Sequence, residues 1–254
     1  MLGFVELEVS GGGNLAEHIS RKELKQDRIH DAFEHSAEAV YSHKQTALVV
    51  ILAVLVAALG YAGWTIYKER QTAAASSALD AGMKIYNGRV ASSPDPAEPG
   101  EVTYPDETAR SAAAAPKFLE AADKYPNTNP GRLARFFAAL CLEDVGQFNQ
   151  AQENLKKIGG SGDKELASLA QYQSAVVYGR TGNPQEAGKI LRALADKSSV
   201  FVPRPLVLLE LADILRQSDP KGAAVVYQQI KKEFPGSSVA DQADRGLETM
   251  TPSS

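Results

Sequence analysis

The hydrophobic pattern of this chain is dominated by one uninterrupted run. Residues 45–67 contain no charged side chain, and residues 47–59 are almost entirely aliphatic. Because a helix rises about 1.5 Å per residue, such a run covers the ~30 Å hydrocarbon core of a bilayer. Aromatic side chains, which favour the membrane interface, lie at both ends, with Tyr41 before the run and Trp64 near its end. The pattern predicts a transmembrane helix over residues 45–67.

Two other kinds of apolar segment compete with this interpretation. A cleaved signal peptide has a short basic leader and an apolar stretch of about 7–15 residues, whereas here a tail of 44 residues precedes a longer stretch. The core helix of a soluble domain seldom needs so many consecutive apolar residues. We therefore expect an uncleaved anchor, which divides the chain into a tail (1–44), the anchor (45–67) and a larger C-terminal region (68–254).

The tail has the pattern of an amphipathic helix. Ile29, Phe33, Ala37 and Val40 recur at spacings that place them on one helical face. Such a face suits a membrane surface or a partner helix, and a solvated helix leading into the anchor would look the same. All four histidines of the chain lie here, at spacings that do not stack two imidazoles on one face for a metal; they are His18, His30, His35 and His43.

The C-terminal region has the pattern of a helical repeat. Pairs of alanines recur every 36 to 37 residues, which is within the period of helical-hairpin arrays. A small residue at each position lets the two helices of a hairpin approach closely, and a larger apolar residue four positions later fills the space toward the next unit. The pairs are Ala139 with Ala151, Ala175 with Ala187, and Ala212 with Ala223, followed by Leu155, Leu191 and Tyr227.

An altered unit precedes these three. Ala114 and Phe118 have the spacing of the second-helix residues of the last unit, and the first helix of this unit would span residues 72–89 with Gly82 at the crossing. Residues 91–100, rich in Pro and Ser, predict a surface loop.

These patterns together predict an all-α chain. A single N-terminal transmembrane helix is followed by a solenoid of about four helical hairpins. Residues 238–249 are polar on one side, as a helix that closes a repeat array should be.

The inventory of reactive side chains excludes most enzyme classes. Residues 68–254 contain no histidine and one cysteine, Cys141, which removes disulfide frameworks, cysteine-rich zinc sites and Ser–His–Asp or Cys–His arrangements from that region. Neither a P-loop nor a dinucleotide-binding glycine motif is present. Acidic residues outnumber basic ones, so the surface does not suit nucleic acid. We expect no catalytic residues, no metal site and no cofactor.

Short stretches of the chain resemble known families. Gly146-x-Phe148-x-x-Ala151 resembles tetratricopeptide repeats, although the aromatic residue typical of their first helix is absent. The order of tail, anchor and repeat region, with the stretches 131–135 and 233–237, resembles the bacterial ancillary subunit family of the Sec translocon. This resemblance implies an inner-membrane protein with a cytoplasmic N-terminus and a periplasmic C-terminal domain. Charge leaves the orientation open, since three Lys or Arg residues lie within twenty residues of each end of the anchor.

Two functions fit the repeat pattern and the resemblance. One is a membrane-anchored protein-interaction module that assists protein translocation or periplasmic chaperone networks, with Sec translocon subunits, chaperones or clients as partners. The other is a tetratricopeptide scaffold for cell-envelope assembly or division, which only the identity of the partner would distinguish. The isolated repeat domain is expected to be a monomer or a homodimer.

Partner contacts are expected on the first helix of each hairpin, which lines the concave face of tetratricopeptide arrays. An aromatic, an aliphatic and a charged residue in each of two units suit a bound peptide, because apolar anchors supply energy and a rim charge supplies orientation. The alternative is that the apolar members belong to the core between repeats. The candidates are Phe136, Leu140 and Glu143 in one unit, and Tyr172, Val176 and Arg180 in the next.

Overall fold

The computed structural model describes residues 44–93, 102–160, 162–197 and 199–250. The predicted tail helix, the four histidines and most of the predicted loop at 91–100 lie outside the described residues. The chain divides into two compact units, Met1–Thr65 and Ile66–Ser254.

Among the described residues, one helix is long and apolar enough to cross a membrane. This helix is α1, which spans Lys44–Tyr86. The most apolar part of this helix buries none of its residues, and the large aliphatic side chains between Leu48 and Leu59 are 54–73% exposed. The core helix of a soluble domain would bury such side chains, so that alternative does not describe this segment.

Helices and short connections make up the rest of the described fold, apart from two very short strands. The elements after α1 are β1 (Arg89–Val90), β2 (Thr103–Tyr104), α2 (Glu107–Lys124), α3 (Asn129–Asp144), α4 (Phe148–Gly159), α5 (Lys164–Arg180), α6 (Pro184–Asp196), α7 (Arg204–Ser218), α8 (Pro220–Glu233) and α9 (Ser238–Met250). The end of α1 with α2, and then α3–α4, α5–α6 and α7–α8, form four successive hairpins that α9 closes. The predicted fold class, an apolar N-terminal helix followed by an α-solenoid of four hairpins with a closing helix, is confirmed.

Small residues occupy the helix crossings, as the repeat pattern predicts. Each of the six predicted crossing alanines is fully buried, at 0% exposure. The three larger apolar residues that follow one turn later are buried as well, at 0–2%. The crossing alanines are Ala139, Ala151, Ala175, Ala187, Ala212 and Ala223, and the larger residues are Leu155, Leu191 and Tyr227.

The first hairpin uses glycine at its crossing. A Cβ atom added to Gly82 in α1 would lie 2.5 Å from ring atoms of Phe118 in α2, far closer than atoms in contact can lie. The Phe118 ring is completely buried and stacks on Phe137 of α3, with 5.5 Å between ring centroids. This confirms the predicted position of Gly82 and shows that the altered unit packs onto the next one. The predicted bounds of its first helix, 72–89, are wrong, because α1 runs unbroken from Lys44 to Tyr86 and Arg89 lies in a strand.

The sequence did not predict the strand pair in the first hairpin. β1 and β2 pair in parallel, with Arg89 opposite Thr103 and Val90 opposite Tyr104. Each strand has only two residues, which is too short for an alternating hydrophobic pattern to be recognised. The pair brings together the two ends of the connection between α1 and α2.

A buried arginine joins three helices of neighbouring hairpins. Arg135 of α3 is 8% exposed. Its guanidinium donates to the Ala122 carbonyl at 2.9 Å and the Asp123 carboxylate at 2.8 Å, both on α2, and to Asn154 Oδ1 of α4 at 3.0 Å. A buried cation is tolerated when several acceptors, including a carboxylate, replace its contacts with water. Arg135 thus fixes α2, α3 and α4 relative to one another.

Substitution of a crossing alanine by leucine tests the packing. Ala175→Leu adds three carbon atoms where no free space exists, so it should lower the free energy of unfolding by about 1–3 kcal/mol. The measurement is chemical denaturation of the full chain in detergent, followed by far-ultraviolet circular dichroism.

The matched control for this substitution is Ala193→Leu. Ala193 is exposed in the last turn of α6, so the same added volume meets solvent and should change stability by less than about 0.5 kcal/mol. Equal effects of the two substitutions would show that α5 and α6 do not cross at Ala175.

Candidate partner-binding site

The first helices of successive hairpins lie side by side and form a continuous surface. α5 contacts both α3 and α7 in addition to its own hairpin partner α6. Side-chain hydrogen bonds link α3 to α5 and α5 to α7. We call the surface formed by α3, α5 and α7 the first-helix face, and all six candidate residues lie on these helices.

Burial divides the six candidates into two groups. Phe136 and Glu143 are buried, at 6% and 5% exposure, and Phe136 packs in the core cluster with Ala139 and Leu142. The Phe136 ring is therefore not available for contact with a partner. The remaining four candidates keep some surface in solvent; they are Leu140, Tyr172, Val176 and Arg180.

Glu143 is the polar centre of the face although its side chain is buried. Gln173 Nε2 donates to Glu143 Oε2 at 2.5 Å, and Arg180 Nη1 donates to Glu143 Oε1 at 2.5 Å. The Arg180 side chain remains 51% exposed and lies over the Phe148 ring, 5.4 Å from its centroid. A carboxylate at the end of α3 thereby orients a solvent-accessible cation on α5.

A second polar contact links α5 to α7. The Tyr172 hydroxyl donates to Glu210 Oε2 at 3.3 Å. The Tyr172 ring packs against a core cluster that its own hairpin shares with the next one, so only part of the residue faces solvent. On the same helix α7, Asp213 accepts a hydrogen bond from the Tyr227 hydroxyl at 2.5 Å.

The electrostatics of the face are dominated by carboxylates. Burial raises the pKa of Glu210, the neighbouring Asp213 and Glu143 raise it further, and the hydrogen bond from Tyr172 opposes the rise. Burial and the adjacent Glu210 carboxylate likewise raise the pKa of Tyr172, so its hydroxyl stays protonated and acts as a donor. Arg180 provides the positive charge opposite Glu143.

Sequence reasoning missed Gln173, Glu210 and Asp213, although the repeat register could have found them. Gln173 and Glu210 both lie two residues before the first crossing alanine of their units, and Asp213 lies one residue after, where Leu140 and Val176 lie in the preceding units.

A groove of ≈ 450 Å³ lies on the other side of α5, between α4 and α6. Its walls include Leu155, Tyr178, Ile190 and the stem of Lys189. This groove supplies control positions that lie on α5 or on its hairpin partner α6, outside the first-helix face. Among the described residues, no group of three His, Cys, Asp or Glu side chains is arranged to hold a metal ion.

The raised pKa of Glu210 predicts a pH-dependent stability. A carboxyl whose folded-state pKa is raised stabilises the fold fully below its unfolded pKa of about 4.3, and this contribution is lost as pH rises through the folded pKa. Glu210→Gln keeps an oxygen acceptor for Tyr172 and removes the charge. The variant should be more stable than the parent chain at pH 7 in urea denaturation, and the difference should disappear near pH 4.

Glu153→Gln is the control, because Glu153 is exposed on α4 and its substitution should change stability little at either pH. A Glu210→Gln variant that is no more stable than the parent chain at pH 7 would contradict the electrostatic account of the face.

Comparison with family models gives two matches. The model described as tetratricopeptide repeat-like domain matches residues 41–203, well over half of the chain, and the model described as tetratricopeptide repeat matches residues 206–237. Comparison with curated proteins and with solved structures gives no match. Tetratricopeptide modules are protein-interaction scaffolds and are typically not enzymes. The two matched ranges contain the apolar part of α1 and the four hairpins except Arg204 and Pro205, and the chain accordingly belongs to the tetratricopeptide repeat-like domain family.

Proposed function

We propose that the chain is a membrane-anchored protein-interaction module. In this proposal residues 45–67 form the anchor, the tail (1–44) is cytoplasmic, and residues 68–254 form a periplasmic domain that binds proteins through the first-helix face. The partners are subunits of the Sec translocon, periplasmic chaperones or translocating clients, in a bacterial inner membrane.

The observation that carries the proposal is the composition of the first-helix face. Leu140 and Val176 leave apolar surface partly uncovered on adjacent helices, and Arg180 lies beside them as a half-exposed cation held by Glu143. Interfaces derive most of their energy from a few apolar or aromatic anchors and their orientation from charges at the rim. Membership of the family supplies the class of partner, since tetratricopeptide domains bind other proteins.

The exposure of α1 supports the anchor. Aliphatic side chains at 54–73% exposure would be unfavourable in water. Full burial of one such side chain lowers the free energy by about 1.5–3 kcal/mol. A bilayer core removes all these side chains from water at once. The role at the translocon rests on the resemblance of the tail, anchor and repeat order to the ancillary Sec subunit family.

Site-specific photocrosslinking in membranes tests both the face and the partner. A photoreactive amino acid at Val176 should crosslink to a translocon subunit, a periplasmic chaperone or a secreted client, identified by mass spectrometry. In the same background, Tyr172→Ala with Arg180→Gln should reduce the crosslink about tenfold or more, since it removes an anchor and the oriented charge. Glutamine removes the positive charge of residue 180 without placing a second carboxylate beside Glu143.

The control pair is Tyr178→Ala with Lys189→Gln, which makes the same kinds of change in the groove on the other side of α5 and should leave the crosslink at Val176 intact. Crosslinks to proteins of envelope assembly or division would favour the scaffold function instead. Equal losses in both variant pairs, or no crosslink at Val176, would refute binding through the first-helix face.

A further inference from the structure

Positively charged side chains cluster where the start of α3 meets the end of α4, away from the candidate residues of the first-helix face. A pocket of ≈ 390 Å³ is lined by residues of the loop before α3, the first turns of α3 and the last turn of α4. We call it the basic pocket. Its walls contain three cationic side chains and, among the described residues that line it, no carboxylate; the lining residues are Pro126, Asn127, Arg132, Arg135, Lys157, Ile158 and Gly160.

The three cations differ in how far the fold already uses them. Arg135 is committed to its contacts with α2 and α4 and provides a fixed, buried charge. Lys157 is exposed in the last turn of α4, and no described residue forms a salt bridge with it. Among the described residues, the acceptors of Arg132 are the neutral oxygens of Asn127 and Asn129 in its own loop and helix.

Arg132 also leaves one donor unsatisfied. Its Nε atom is buried and has no hydrogen-bond partner among the described residues. Buried donors without acceptors are rare in folded proteins, because the donor has lost its hydrogen bond to water and no protein hydrogen bond replaces it. An anion in the basic pocket would give the Arg132 guanidinium an acceptor that the described fold does not supply.

The repeat itself does not require positive charge at these positions. In the register set by the crossing alanines, the equivalents of Arg132 are Ser168 and Pro205, and those of Lys157 are Ala193 and Gln229. The third and fourth hairpins therefore fold with neutral residues where this hairpin carries Arg and Lys, and the first hairpin has Glu120 at the position of Lys157. Both cations are available for a function specific to this one junction.

The balance of charge suits a divalent anion. Three positive side chains surround the basic pocket, and the Asp123 carboxylate, 2.8 Å from Arg135, offsets about one of them. The carbonyl end of α4 contributes roughly half a negative charge at Gly160. The remaining charge of between one and two matches phosphate, which carries ≈ −1.5 to −2 at neutral pH and accepts paired hydrogen bonds from a guanidinium.

We propose that the basic pocket binds a phosphate group, either as the free ion or as a small phosphate monoester whose organic part fills the rest of the pocket. Arg132 and Lys157 hold the phosphate oxygens directly. Arg135 stays in its structural contacts and adds positive charge from the wall of the pocket. This binding is independent of the first-helix face and of any protein partner.

Calorimetric titration of the full chain in a non-ionic detergent tests the site, with inorganic phosphate and glycerol 3-phosphate as separate probes at constant ionic strength. Both share the recognised group, and the comparison shows which source binds more tightly. Arg132→Gln and Lys157→Gln should each raise the dissociation constant about tenfold or more, as expected for the loss of a charge-assisted hydrogen bond.

Lys156→Gln is the matched control. Lys156 is the neighbouring exposed lysine on α4 and does not line the basic pocket, so its substitution should change the dissociation constant less than about twofold. Circular dichroism confirms that each variant is folded before titration. No binding of either probe to the parent chain would overturn the proposal, and so would equal weakening in all three variants, which would indicate attraction to overall charge only.

Discussion

Close approach of helices at small residues is the constraint on which the rest of this structure depends. The six crossing alanines are fully buried, and at Gly82 even a methyl group would collide with the Phe118 ring. Because backbones can meet only where side chains are small, the positions of these residues fix which faces of each helix turn inward. The larger residues one turn later, such as Leu191 and Tyr227, then fill the space between hairpins. Volume added at a crossing would separate two helices and disturb both neighbouring units.

Polar contacts add specificity to this apolar packing. Arg135 joins three helices through charged hydrogen bonds. Gln152 and Ser174 exchange two buried hydrogen bonds at 2.5 and 2.8 Å and fix α4 against α5. Such contacts are directional, so they select one arrangement of helices that apolar packing alone would leave less well defined. The same principle operates at the surface, where buried Glu143 holds the exposed Arg180 in one position. The first-helix face is therefore preorganised, which reduces the entropy lost when a partner binds.

Periodic and strongly patterned features could be predicted from the sequence. The apolar segment of α1, the hairpin register and the crossing at Gly82 all follow from side-chain size and spacing, and the structure agrees with each. The strand pair could not be predicted, because pairing of Arg89 with Thr103 depends on tertiary proximity and not on local pattern. The candidate face was only partly accessible to sequence reasoning: first-helix residues were identified, but burial of Phe136 and Glu143 depends on how far α3 turns toward its neighbours. Glu210 and Asp213 lie at positions that the alanine register identifies, but their contacts with Tyr172 and Tyr227 depend on how α7 packs against α5 and α8.

Cysteine accessibility tests the repeat packing most directly, because adjacent turns of α5 have opposite environments. The only native cysteine, Cys141, is buried, and burial raises the pKa of its thiol to about 12, so it should remain unreactive in the folded chain. Ala175 is fully buried at the crossing, whereas Gln171, one turn earlier, is exposed. In the full chain in detergent, a maleimide reagent should label Gln171→Cys within minutes and leave Ala175→Cys unlabelled until denaturant is added. Equal labelling of the two variants in the folded chain would contradict the packing of small residues at the crossings, and with it the assignment of the first-helix face.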